Sequence, residues 1–150
     1  MKKYFTCLLF AAILFTFLPW LGDTLFNTKG EPREAIVALS MINSGDYILP
    51  TSCGGDIPYK PPLLAWLIVA CSYLTGGVNE ISARMPSAIA TIFMAAGFYL
   101  FVSRRYADRS RARLVAILST AVTVTAFEVF RAATACRVDM VLTACMVGAI

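Results

Sequence analysis

The chain has 150 residues, 59% of them apolar and 15% charged, with a mean hydropathy of +0.72 and a formal net charge of +4. Soluble domains carry about 45–50% apolar and about 25% charged residues, so this composition excludes an ordinary soluble domain, a disordered chain and a disulfide-stapled secreted domain. It predicts an all-α, polytopic transmembrane protein whose sparse charges separate long uncharged runs.

Lys2 and Lys3 precede an uncharged run over 4–21. At about 1.5 Å per residue it covers roughly 27 Å of a bilayer core of about 30 Å. That exceeds the apolar region of a cleavable signal peptide, about 7–15 residues, and predicts a retained anchor with a cytoplasmic N-terminus. A polar stretch over 23–60 follows, with Asp23, Glu31, Glu34, Asp46 and Asp56. Within it Ile36, Val37, Leu39, Met41 and Ile42 predict a short helix over 33–43, stopped by Ser44-Gly45. Such a helix lies on the membrane surface or is a plain solvated loop helix.

The run over 61–77 has only about fifteen uninterrupted apolar residues, roughly 22 Å. The next, over 86–102, leads into Arg104, Arg105, Arg109, Arg111 and Arg113. A short loop this rich in arginine is expected in the cytoplasm. An even number of crossings must then separate Lys3 from Arg104, so 61–77 is expected to lie along or dip into the outer face. The run over 86–102 becomes the second crossing. A third, over 114–130, returns outward to Glu128, Arg131, Arg137 and Asp139. A fourth begins at Met140 but covers only about 16 Å, which predicts a piece of a longer chain. Residues 23–83 form an outer loop with interfacial helices in this scheme.

Cys7, Cys71, Cys136 and Cys145 lie in or beside apolar runs and Cys53 in a polar loop, with no Cys-x-x-Cys pair and no histidine. Zinc, a disulfide framework and imidazole chemistry are therefore not implied. Basic residues flank apolar runs instead of interleaving with aromatics, which argues against a nucleic-acid partner. Trp20, Trp66 and Tyr73 read as belt or packing residues and Arg84 as a tether at the outer start of a span.

Four blocks gather on the expected outer face. They are Gly30-Glu31-Pro32-Arg33-Glu34-Ala35, Ser44-Gly45-Asp46-Tyr47-Ile48-Leu49-Pro50, Tyr59-Lys60-Pro61-Pro62-Leu63-Leu64-Ala65-Trp66 and Arg137-Val138-Asp139-Met140-Val141-Leu142. In this order they resemble the N-terminal region of the C-type (GT-C) polyprenyl-phosphate-sugar glycosyltransferases, which include the lipid A aminoarabinose transferases and the protein O-mannosyltransferases. The resemblance covers essentially the whole chain. It implies a multi-pass enzyme of the inner membrane with its active site on the outer, periplasmic face. That enzyme moves a sugar from a polyprenyl-phosphate donor to an acceptor hydroxyl on a lipid, glycan or protein, by a single inverting displacement. Two positions depart from the family. Gly30 stands where members have Asp, and Tyr59 where the aminoarabinose type has a Glu associated with metal binding. A divalent cation is therefore not carried over, and no spacing among Glu31, Glu34, Asp46, Asp56, Glu80 and Asp139 demands one.

The residue chemistry points the same way. A polyprenyl phosphate keeps its tail in the bilayer and its anion at the headgroup level, where Arg33 and Lys60 are the candidate phosphate-binding cations. The acceptor hydroxyl must give up a proton, for which Glu31 and Asp139 are the candidate catalytic carboxylates. The plainer alternatives are that Lys60 and Arg33 snorkel to headgroups or pair with Glu34 and Asp56, and that Asp139 caps the fourth helix. A polyprenyl-lipid or solute transporter would place its binding groups near the bilayer midplane. A non-catalytic assembly subunit would tolerate neutralisation of Lys60 and Asp139.

Overall fold

The computed structural model describes residues 2–26, 28, 30–52, 55–58, 60–106 and 108–149, the side chains of residues 2 and 3 excepted. Cys53, Tyr59 and the lysine pair's side chains thus lie outside what is described. Seven helices and no strand are present among the described residues: α1 (Lys2–Phe17), α2 (Gly30–Ser44), α3 (Leu63–Thr75), α4 (Glu80–Arg104), α5 (Arg109–Thr125), α6 (Phe127–Ala133) and α7 (Val138–Gly148).

Helix α4 is the axis, with α3, α5 and α7 packed along it. Its start is fixed by a reciprocal cap. The Asn79 side chain accepts from Ser82 N (2.8 Å) while Asn79 N donates to Ser82 Oγ (2.8 Å), satisfying two helix-end donors at once. The helix therefore begins six residues before the sequence-based start at Pro86. Arg84 accordingly stands on a helix and is buried, not at a tethering loop. Small buried residues along α4, including Ala83, Ser87, Ala88, Thr91 and Ala95, let its neighbours approach closely. On α5, Ala112, Ala116, Thr120 and Val124 repeat every fourth residue and form its buried stripe.

Among the described residues, α4 alone is long and apolar enough as a single helix to cross a membrane. Its 25 residues reach about 37 Å. Helices α5 and α6 qualify only as a pair, bent by 68°, where the sequence predicts one straight run over 114–130. The break falls at Ala126, whose φ of −59° and ψ of 131° leave the helical region. Just before it Thr123 Oγ1 and Thr125 Oγ1 donate to the carbonyls of Ser119 and Ala121 (both 2.8 Å). Helix α1 ends at Phe17, short of the run's end at residue 21. Pro19 disfavours helical backbone at the residue before it, and 18–24 turns across the top of the bundle.

Helix α2 is longer than the expected 33–43 and ends at Gly45, whose φ of +73° only glycine adopts freely. Its Val37, Ala38 and Met41 pack with Leu64 and Ile68 of α3 and Val141 of α7 in one core cluster. The connection to α3 is held by Asp46, whose Oδ1 accepts from Ile48 N (3.0 Å) and Leu49 N (2.9 Å). Those two bonds, first Leu49 and then Ile48, hold its carboxyl below the usual value. Trp66 Nε1 then donates to Tyr47 O (2.8 Å), folding the loop back over α3.

Candidate functional site

Helix α2 presents its acidic residues to two different environments. Glu31 is 2% exposed, and its Oε1 accepts from Arg84 Nε (3.0 Å) and Cys136 N (3.0 Å) while Oε2 accepts from Thr28 N (3.3 Å). Arg84, also 2% exposed, donates from Nη1 to the carbonyls of Leu21 (2.9 Å) and Thr24 (2.8 Å) and from Nη2 to that of Leu25 (3.0 Å). Arginine suits this place because its planar fork offers five donors in fixed directions. One ion pair thus fastens the turn after α1, the first turn of α2, the α6–α7 junction and α4 to each other.

Glu34 faces Lys60, with Nζ to Oε1 at 2.8 Å. Lys60 stands between two clefts. One, of about 290 Å³, is lined by Thr28, Gly30, Lys60, Cys136, Arg137 and Asp139. The other, of about 250 Å³, includes Arg33, Glu34, Ser52, Asp56 and Lys60. The first cleft's far wall is fixed from below. Ser87 Oγ of α4 lies 3.0 Å from Arg137 O and 3.2 Å from Arg137 N, so the residue before α7 is gripped by its backbone. The cap position of α7 belongs to Arg137, and Asp139 sits inside the first turn with an exposed side chain 3.6 Å from Arg137 Nη1. Asp139 therefore does not fill the N-cap role that a purely structural reading gives it.

Of the four candidate residues, Lys60 and Asp139 share the first cleft, and Arg33 shares the second with Lys60. Glu31 lies beneath both, committed to Arg84. Sequence reasoning gave no site role to Arg84 or to Arg137. The Asn79-x-x-Ser82 spacing is the signal that would have carried α4 back past Arg84. The Cys136 thiol, walled in at the base of the cleft, is pushed up to about 12 by burial, with the charges of Glu34 and Glu31 adding to it. Among the described residues no three His, Cys, Asp or Glu side chains converge as metal ligands. Glu31 and Glu34 are each engaged by a cation. This donor set, among the described residues, does not fit a divalent cation.

The family described as dolichyl-phosphate-mannose-protein mannosyltransferase matches residues 59–150, the stretch running from beside Lys60 through Asp139. The chain belongs to this family, within the C-type glycosyltransferases. Among proteins similar to this chain, an undecaprenyl phosphate-alpha-4-amino-4-deoxy-L-arabinose arabinosyl transferase of Pseudomonas savastanoi pv. phaseolicola is 32% identical over 111 residues, 74% of this chain and 21% of that protein. The protein of the same name from Shewanella sediminis is 36% identical over 83 residues, 55% of this chain and 15% of that one. An uncharacterized protein of Aquifex aeolicus is 30% identical over 117 residues, 77% of this chain and 27% of its own length. The chain thus spans about a quarter or less of the relatives it matches. No solved structure matches it at a significant level.

Proposed function

We propose that this chain forms the donor-phosphate and acceptor-activating part of a polytopic inner-membrane glycosyltransferase that uses a polyprenyl-phosphate sugar. The observation that carries the reading is the cleft shared by Lys60, Arg137 and Asp139. These residues lie nearly eighty positions apart in sequence, yet they set two cations beside an exposed carboxylate. Lys60 and Arg33 hold the lipid phosphate, and Arg137 adds a third cation on the Asp139 side. Asp139 takes the proton of the acceptor hydroxyl as its oxygen attacks the anomeric carbon. The bond from that carbon to the phosphate oxygen breaks with inversion. The extra negative charge left on the phosphate is stabilised by the cations already in place. Glu31 positions this assembly through Arg84 and Cys136 instead of exchanging protons. The polyprenyl-phosphate donor is in keeping with the names of the arabinosyl transferase relatives, and the acceptor is a hydroxyl of a lipid, glycan or protein. The N-terminus is cytoplasmic and the cleft periplasmic in this scheme.

The test uses the full chain in a background lacking its native cysteines. Single cysteines at 60, 108 and 139 are labelled with an impermeant thiol reagent outside intact spheroplasts, and Asp139→Asn is assayed with a polyprenyl-phosphate sugar. Positions 60 and 139 are expected to react outside and 108 only after permeabilisation. Asp139→Asn should lower kcat by about 10²–10⁴-fold, the usual share of a general base, with KM little changed. Labelling of 60 and 139 on opposite sides, or full turnover by Asp139→Asn, overturns the reading.

A further inference from the structure

The other end of α4 carries a second pair of adjoining cavities. Arg84 and Arg104 are twenty residues apart on α4, so this end lies about 30 Å from the Lys60 clefts. A cleft of about 550 Å³ is lined by Tyr99, Ser103, Arg104, Tyr106, Arg109 and Arg113. Beside it a groove of about 590 Å³ is walled by Phe5, Leu114, Ile117 and Leu118, with Arg111 and Arg113 at its edge. Arg113 lines both, so a basic recess and an apolar groove share a wall.

The charge here is unbalanced. Residues 104–113 hold five arginines and one aspartate. That aspartate, Asp108, is occupied in capping α5 through Ser110 N (2.8 Å) and lies 3.7 Å from Arg111 Nε. Among the described residues no carboxylate pairs with Arg104, Arg109 or Arg113. The groove wall is also fixed, because Thr6 Oγ1 and Tyr99 OH lie 3.0 Å apart and Phe10 packs edge-on against Tyr99, docking α1 on α4.

We propose that this end binds an anionic membrane phospholipid, with its phosphate among Arg104, Arg109 and Arg113 and one acyl chain along Phe5, Leu114, Ile117 and Leu118. A loop that serves only to set membrane orientation needs the charge but has no use for a channel beside it. A site for a soluble anion needs the recess but not the apolar wall. An amphiphile with a negative head uses both, and basic pockets between membrane helices take such headgroups. The site is independent of the donor cleft and leaves the transfer chemistry untouched.

Thermal unfolding of the full chain in detergent, with dioleoyl phosphatidylglycerol, dioleoyl phosphatidylcholine or inorganic phosphate added, tests the assignment. Phosphatidylglycerol is expected to raise Tm by about 4–8 °C near saturation, and the other two to leave it unchanged. The shift should vanish in Arg104→Gln/Arg109→Gln, which keeps the groove. It should also vanish in Leu118→Trp, which keeps every charge and fills the groove. Each variant is read against its own lipid-free Tm. Native mass spectrometry of the unmodified chain needs no variant and should retain phosphatidylglycerol but not phosphatidylcholine. An equal shift with phosphatidylcholine, a shift reproduced by inorganic phosphate, no shift at all as when other protein fills the groove, or a shift that survives either variant overturns the proposal.

Discussion

Glu31 and Arg84, 53 residues apart in sequence, meet at 3.0 Å with only 2% of either side chain exposed. Neither has room for water as a substitute partner. Removing one member of such a pair leaves a buried charge alone, which costs about 3–5 kcal/mol. Glu31→Gln and Arg84→Met are each expected to lower stability by that order, read by chemical or thermal unfolding of the purified chain. The measurement also separates the two roles open to Glu31. A positioning residue loses stability with turnover, whereas a base in exchange with substrate would lose turnover at unchanged Tm.

Gly30 lines the Lys60–Asp139 cleft, and a Cβ built on it meets nothing within 4 Å. It is also the first residue of α2, where a carboxylate is favoured by the helix dipole, by about 0.3–1 kcal/mol. Gly30→Asp, which places there the residue that the sequence resemblance implies for the family, is expected to fold at unchanged or slightly higher Tm. It should also raise kcat on a polyprenyl-phosphate sugar by adding a second carboxylate to the cleft. A fall in kcat at unchanged Tm would show that the open space at Gly30 is itself required, for example by a bulky acceptor.

Burial raises the Cys136 thiol from 9.0 to about 12, so the folded chain keeps that proton where the unfolded chain loses it. The folded state binds more protons between these two values, and stability must fall as pH rises through the window. Cys136 contributes at most about 1.4 kcal/mol per pH unit to that slope. Unfolding free energies of the parent and Cys136→Ala between pH 9 and 12 check the point. The variant's curve should be flatter by this amount, and parallel curves would show that the thiol is not held in its protonated form.

Which parts of this structure the sequence made legible depends on how local their causes are. The helical class, the stop at Gly45 and the grouping of Lys60 with Asp139 follow from hydropathy, one glycine and the order of charged blocks. The true start of α4 follows from Asn79 and Ser82 but is masked by Pro86, which imitates a helix start. Arg84 was misread for that reason. An arginine two residues outside an apolar run looks solvated, and its burial depends on carbonyls from Leu21, Thr24 and Leu25 that only the folded turn supplies. The bend at Ala126 is intermediate. The Thr123 and Thr125 hydroxyls that bond back just before it are plain in the sequence, but the same bond from Thr91 leaves α4 unbroken, so hydroxyl spacing alone does not mark the break. Arg137 stood in view beside Asp139, and what was lacking was the grip of Ser87 on its backbone.

The contact between Lys60 and Glu34 gives the resting cleft an occupant of its own. A carboxylate at 2.8 Å is a stand-in for the phosphate oxygen that the ammonium would otherwise seek. On the proposed reading an arriving lipid phosphate would have to displace Glu34 from Lys60, and Glu34 would return to Lys60 when the phosphate leaves. The same carboxylate would thus set both the threshold for entry and the ease of exit.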